Sequence, residues 1–421
     1  MKENRVGLEQ VLAAREGRQR RQQQLLAQWH GSMICFTMNI PGPVKRTALA
    51  DLAFSCGLQQ LRQRLGRPVY ETVLRLDTGC EAYLLYDRPA PELKAVCRML
   101  EEQTPVGRLY DMDVFTGEGE KLSREGQRSC LVCGGEVFAC SRSRRHGLEE
   151  ICRVVEERLQ AFAAEELARR AVEALEEEVR LTPKPGLVDE RNSGAHDDMD
   201  LPLFLRSAHV LQPYFCRCVA LGMEEKDCMP KLQQAGQEAE QTMFQATGGV
   251  NTHKGAVYAF GLLLAAMGSC LQREDELFSR AAALAKAGKK SREDSHGEQV
   301  RRCLGAVGAR AEAENGFPSA QMAWRRLRRP GADPRLVLLE ILQCCDDTNL
   351  LYRGGEDGLR LARKWGETVL QASEEQREGL LLDMDDALIA RHLSPGGCAD
   401  ILAQGLLLRK TEEVWRQEPL S

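Results

Sequence analysis

The chain has 421 residues, 43% hydrophobic and 28% charged, which is apolar material for two cores and rules out a disordered polymer. Lysine and arginine number 57 against 62 aspartates and glutamates, so a formal charge of −5 offers no broad basic face for duplex nucleic acid. Residues 1–10 hold no apolar segment of the kind a secretory signal needs, so the 16 cysteines are expected as reduced thiols in a cytoplasmic protein. The longest apolar run, residues 257–267, is broken by Gly261 and too short to cross a bilayer, so no membrane partner is expected.

In chain order, an arginine- and glutamine-rich helix over residues 15–28 is expected to pack through Leu12, Leu25, Leu26 and Trp29 and to leave its charges in solvent. Strand signals at residues 32–38, 69–76 and 82–86 alternate with helical stretches at 49–64 and 91–100, the pattern of a mixed α/β (α+β) domain. Residues 39–46, N-I-P-G-P-V-K-R, form a rigid turn followed by Lys45 and Arg46, suited to phosphate and equally to an ordinary loop. Residues 107–114 read G-R-L-Y-D-M-D-V. If 109–114 is a strand, its period of two points Asp111 and Asp113 to one side, where they can share a Mg²⁺ ion with substrate phosphates; a solvated strand end gives the same pattern. Cys130, Cys133, Cys140 and His146 have spacings that can complete a tetrahedral structural Zn²⁺ site, the alternatives being free thiols or a phosphate-binding edge with Arg142, Arg144 and Arg145.

These three segments, in this order over residues 30–155, resemble apo-citrate lyase phosphoribosyl-dephospho-CoA transferase. The resemblance implies transfer of phosphoribosyl-dephospho-CoA to a serine of the citrate lyase acyl carrier (gamma) subunit, with pyrophosphate released. It implies Mg²⁺ on Asp111 and Asp113, a phosphate contact from Arg108, and a nucleophile supplied by the partner, while Lys45 after its rigid turn is expected to bind substrate as well.

A charged helix from about residue 147 to 179 follows, and beyond it helix formers dominate, so the second part is expected to be all-α. The boundary is set near residue 160, giving domains 1–160 and 161–421. Residues 182–200, T-P-K-P-G-L-V-D-E-R-N-S-G-A-H-D-D-M-D, begin as an extended turn carrying Lys184, and a helical end would set His196 and Asp200 one turn apart. Residues 247–255, T-G-G-V-N-T-H-K-G, place Asn251, His253 and Lys254 at the start of an apolar helix, a credible anion cradle that lacks Walker A spacing. Asp346 and Asp347 with Arg353, the acids Asp383, Asp385 and Asp386, and a glycine-rich turn at residues 394–400 with Gly396 and Gly397 complete the polar clusters.

Together these motifs, with G-F-P at residues 316–318, resemble triphosphoribosyl-dephospho-CoA synthase over residues 175–408. The resemblance implies that ATP and 3′-dephospho-CoA are joined with loss of adenine. Such a displacement passes through a cationic sugar, so carboxylates are needed near C1′. Asp197 or Asp198, beside His196, is expected to do that work. Asp346, Asp347 and Asp200 are expected to hold Mg²⁺, and Lys184, Asn251, His253, Lys254, Arg353, Gly396 and Gly397 to bind substrate. The sequence departs from the family pattern at Ser295-His296-Gly297, where threonine is expected first, and at His392, where asparagine is frequent. The chain thus reads as a fusion of two enzymes; service to a malonate decarboxylase carrier, or a non-catalytic nucleotide- or CoA-binding regulator, are the alternatives.

Overall fold

Four extended runs of the first part pair into one antiparallel sheet in the computed structural model, which describes residues 4–123, 126, 128–273, 275–288 and 308–415. The chain divides into two units, Met1–Ala163 and Ala164–Ser421. In the first, α1 (Leu8–Gln28) leads into β1 (Ser32–Met38), α2 (Ala48–Leu65), the hairpin β2 (Tyr70–Leu76) and β3 (Gly79–Tyr86), α3 (Ala90–Gln103), β4 (Tyr110–Phe115) and the short α4 (Val137–Arg142). The strand order is β2-β3-β1-β4.

One sheet face carries the apolar core. Phe36 stacks on Phe54 of α2 at 4.6 Å and meets Tyr110 edge-on at 5.1 Å, and burial of such a ring is worth about 1.5–3 kcal/mol. Gly57 lets α2 come this close, because a Cβ there would lie 2.8 Å from the Phe36 ring.

The opposite face lies under α1, and here the expected packing of that helix is corrected. Leu25 and Leu26 do pack, against Met33, Cys35, Tyr83 and Leu85. Leu12 and Trp29 are exposed, and it is Arg18 and Arg21 that reach inward. The cause is Glu81, buried on β3, which needs positive partners more than the helix needs a uniform apolar stripe.

The helix α5 (Leu148–Arg180) runs through the division between the units. The second unit is helical throughout its described residues: α6 (Leu201–Val210), α7 (Gln212–Glu224), α8 (Met229–Ala246), α9 (Lys254–Gln272), α10 (Leu277–Ala287), α11 (Ala309–Glu314), α12 (Pro318–Leu327), α13 (Pro334–Cys344), α14 (Thr348–Gln371), α15 (Glu374–Ile389), α16 (Gly396–Lys410) and α17 (Glu412–Trp415). At 19 residues, α9 is long and apolar enough to cross a membrane by composition, yet 78% of that window is buried within the unit as its central helix.

Two local expectations change. Residues 181–200 form no helix, so His196 and Asp200 are not one helical turn apart. Gly396 and Gly397 belong to the first turn of α16 and do not form a preceding turn, which places Asp400 on the helix as well. The departure at Ser295-His296-Gly297 lies outside the described residues. His392 takes a left-handed φ of 52°, a conformation asparagine tolerates well, which gives the asparagine preference at this position a backbone cause.

Candidate functional sites

In the first unit the sheet register builds the site. Thr37 of β1 lies opposite Glu81 on one side and Asp111 on the other, and Cys35 lies between Tyr83 and Asp113. Tyr110, Met112 and Val114 are buried, while Asp111 and Asp113 are half-buried on the opposite face, as the period of two requires. Asp113 accepts from Lys121 Nζ at 2.6 Å. Among the described residues Asp111 has no partner. Beside them Glu81 accepts from Arg18 Nε at 3.0 Å, Arg21 Nη2 at 2.7 Å and the Tyr83 hydroxyl at 2.6 Å. Burial opposes ionisation of Glu81, but Tyr83, Arg21 and Arg18 hold its carboxyl below the usual range. Sequence reasoning missed this group; the signal was a glutamate at an inward position of a strand.

Lys45 donates to the Ile40 carbonyl at 2.6 Å, and burial lowers its pKa. Arg108 donates to the Ser129 carbonyl, which ties the start of β4 to the cysteine segment, and Arg128 adds a 3.2 Å bond to the Tyr110 carbonyl.

The four predicted metal ligands converge. One donor atom from each of Cys130, Cys133, Cys140 and His146 lies within 4.8 Å of the others. A tight turn makes this possible: Cys130 N donates to the Gly135 carbonyl at 2.6 Å, Gly134 N returns to the Cys130 carbonyl at 3.0 Å, and Gly134 takes a φ of 71°. His146 Nδ1 faces Glu150 at 3.3 Å, while its Nε2 is buried without a partner. The Gly135 amide, His146 and Cys140 pull the Cys133 thiol down to about 6, and Cys133 together with burial pushes Cys140 up to about 11.

In the second unit the loops between helices meet around buried charges. Lys184 is 2% exposed and donates to the Glu178 carboxylate at 2.7 Å and the Glu178 carbonyl at 3.0 Å. Asp189 accepts from Thr182 Oγ1 and from the amides of Lys184, Arg191 and Asn192. Asp385, fully buried, accepts from Gly186 N, Arg191 and Asn192, so it anchors the 182–194 loop. Both acids were unassigned, because their partners are backbone amides that no spacing announces.

His196 Nδ1 faces Arg353 Nη2 at 3.3 Å and Nε2 faces Ser394 Oγ at 3.0 Å. Because a guanidinium only donates, Nδ1 accepts and the Nε2 proton points to Ser394. Burial and Arg353 lower the His196 pKa against the pull of Asp198 and Asp197, both of which are exposed beside it. Arg353 also donates to the Ala195 and His392 carbonyls, so it holds the loop as well as facing outward. His253 is buried at the start of α9, with Nδ1 2.8 Å from Ser207 Oγ, and burial followed by the charge of Lys184 brings it down to about 3, so it is neutral. Asn251 Oδ1 accepts from Lys254 N, and Lys254 Nζ pairs with Glu240.

The structure does not gather Asp200, Asp346 and Asp347 into one metal-binding group. Asp200 caps α6 through Leu203 N, and Asp346 pairs with Arg363. Asp347 is buried: Oδ1 accepts from Asn349 N and Leu350 N, and Oδ2 accepts from Cys398 N, so one carboxylate caps α14 and binds the first turn of α16. Asp400, on the same turn of α16 as Cys398, has no hydrogen-bonding partner among the described residues. Burial, then the carboxylates of Glu178 and Asp347, raise it to about 7. Gly255 makes room for it, since a Cβ there would lie 2.0 Å from Asp400 Oδ2. Gly397 sits similarly against Asp347, and Gly396 against Asn349.

The first unit gathers acids and cations on a sheet face, and the second gathers its own among helix ends. Residues 6–162 match the family described as apo-citrate lyase phosphoribosyl-dephospho-CoA transferase, and residues 164–419 match ATP:dephospho-CoA triphosphoribosyl transferase. Protein CitXG of Haemophilus influenzae is 34% identical over 446 aligned residues that cover 95% of each chain. Protein CitXG of Leuconostoc mesenteroides subsp. cremoris is 30% identical, covering 96% of this chain and 97% of its own. The 2-(5''-triphosphoribosyl)-3'-dephosphocoenzyme-A synthase of Haemophilus ducreyi is 36% identical over 65% of this chain and 97% of its own. The chain belongs to the bifunctional family in which the phosphoribosyl-dephospho-CoA transferase is fused ahead of the triphosphoribosyl-dephospho-CoA synthase.

Proposed function

We propose that the second unit joins ATP to 3′-dephospho-CoA, and that the first unit passes the product to a serine of the citrate lyase acyl carrier subunit. In the first reaction the C1′–N bond to adenine breaks, the 2′-oxygen of dephospho-CoA bonds to C1′, the hydroxyl proton goes to a carboxylate, and adenine leaves as the neutral base by taking up a proton from solvent. Asp400 fits that acceptor, being unpartnered and poised near neutrality. Asp197 and Asp198, exposed on the loop beside His196, fit stabilisation of the cationic sugar. The amide ends of α9 and α16, with Lys254 and Arg353, suit the triphosphate.

In the second reaction the serine oxygen attacks the α-phosphorus, pyrophosphate leaves, and the serine proton passes to solvent or base. Asp111 and Asp113, two residues apart on one face, are the pair that would hold Mg²⁺, whose charge neutralises the triphosphate. Both reactions consume cytoplasmic nucleotides, which supports a cytoplasmic protein. The observation that carries the reading is the presence of two independent charged centres in a chain that matches both families end to end. Mass spectrometry of the full chain with ATP, Mg²⁺, dephospho-CoA and apo-carrier tests it: adenine release with phosphoribosyl-dephospho-CoA added to the carrier is expected. Adenine release without carrier modification would remove the first-unit assignment.

We further propose that Cys130, Cys133, Cys140 and His146 hold one structural Zn²⁺. The buried, unpartnered Nε2 of His146 supports this, as does Glu150 at Nδ1, the usual outer partner of a metal-bound imidazole. Four protein ligands leave no open position, so the ion would brace the fold. Metal analysis is expected to give one zinc per chain, lost in Cys133→Ser.

A further inference from the structure

Around the cysteine and histidine cluster the first unit turns outward groups that a protein without a partner would cover or neutralise. Phe138, two residues before Cys140, is 56% exposed, and Leu148, two residues after His146, is 57% exposed. Phe138 and Arg142, four residues apart on α4, share one face of that helix. Arg142, Arg144 and Arg145 are all exposed, and among the described residues their side chains have no hydrogen bond or ion pair. Several other exposed arginines of this unit are paired, Arg62 with Glu71, Arg88 with Glu92, Arg98 with Glu102 and Arg153 with Glu157, whereas Arg142, Arg144 and Arg145 stand unpaired within four residues of one another. Residues 137–148 contain no acid; Glu136 and Glu149 flank the run, and Glu150 is held by His146.

The backbone presents this run deliberately. Arg144 takes a φ of 47°, a left-handed conformation usually left to glycine, where the chain turns off α4 to bring His146 back to Cys140. The segment is also fastened to the start of β4 by Arg108 and Arg128, so it begins at the strand that carries Asp111 and Asp113.

We propose that Phe138, Leu148, Arg142, Arg144 and Arg145 form the docking surface for the acyl carrier subunit, through an acidic surface of that partner with an apolar contact at its centre. This rests on the reading that the first unit modifies a carrier protein. The transferase must engage a folded macromolecule, and an unpaired arginine cluster around two exposed apolar side chains is complementary to an acidic one. Three rim charges set encounter and affinity, while the chemistry stays at the aspartates.

The test uses the full chain and measures carrier modification against carrier concentration at low and high salt. Arg142→Glu/Arg144→Glu/Arg145→Glu is expected to raise the KM for carrier about 10-fold or more, with kcat at saturating carrier, zinc content and adenine release near wild type. The corresponding triple lysine variant is expected to recover most of the loss, because point charges suffice, and Phe138→Ser to raise KM alone. An unchanged KM in the charge-reversed variant, or a fall in kcat with KM unchanged, overturns the docking surface. Failure of the wild-type chain to modify carrier would overturn the transferase reading itself.

Discussion

The two units face the same electrostatic problem, a polyphosphate to be neutralised, and solve it with different backbones. The first spreads its acids along a strand, where Asp111 and Asp113 share a half-exposed face and Lys121 covers one of them. The second buries its charges between helix ends, where Lys184, Glu178, Asp347 and Asp400 answer one another and backbone amides. A sheet site draws on neighbours in sequence and stays close to water. A helix-end cluster is assembled from loops far apart in the chain, and burial raises the pKa of its acids Asp347 and Asp400.

Exchanging the acids gives the largest test of this contrast. Asp111→Asn with Asp113→Asn is expected to lower carrier modification by about 10²–10³-fold and leave adenine release intact, while Asp400→Asn lowers adenine release and spares carrier modification from ready-made triphosphate. Adenine release assayed with ATP, and carrier modification assayed with ready-made triphosphate, separate them, and one variant that abolished both would end the idea of independent centres. Stability is the next measure. Lys184→Met strands Glu178 in the core and should cost about 3–5 kcal/mol in denaturant unfolding of the second unit, whereas Lys121→Ala, which removes an exposed pair, should cost less than about 1 kcal/mol.

Acidity sharpens the comparison further. Asp400 is raised from the ordinary aspartate value of 3.8 to about 7 by burial and then by Glu178 and Asp347, so the folded chain holds a proton that the unfolded chain has lost across that window. Its contribution to stability therefore falls as pH rises between those two values and levels off above them. Catalysis runs the other way: a base works only when ionised, so adenine release should climb by about tenfold per pH unit below 7 and flatten above it. Asp400→Asn should remove that limb, and carrier modification supplied with ready-made triphosphate should not show it.

These contrasts also explain what the sequence could disclose. The strand with Asp111 and Asp113 was legible because alternation alone fixes which side chains share a face, and the convergence of Cys130, Cys133, Cys140 and His146 because a short segment can meet itself only in a few ways. The helix ends were not. Lysine reads as a solvated residue, and nothing local to Lys184 announces Glu178 as its partner. Asp346 and Asp347 look alike in sequence, yet one meets Arg363 at the surface and the other is buried under three amides. The face of α1 was misjudged because its leucines were weighed without Glu81, which lies 60 residues beyond Arg21. Gly396 and Gly397 suggested a turn, but Asp347 stabilises the amide end there and lets the helix begin early.

Asp347 carries a consequence for motion. Its two oxygens cap α14 and hold Cys398 in the first turn of α16, helices that begin about 50 residues apart in sequence. Neither end can fray without loosening the other, because release of one set of amides frees a carboxylate that burial makes costly to leave unsatisfied. The amides of Asn349, Leu350 and Cys398 therefore belong to one opening event and should exchange their hydrogens at a common rate. The starts of α14 and α16 would then open and close as a single gate, its cooperativity set by one side chain.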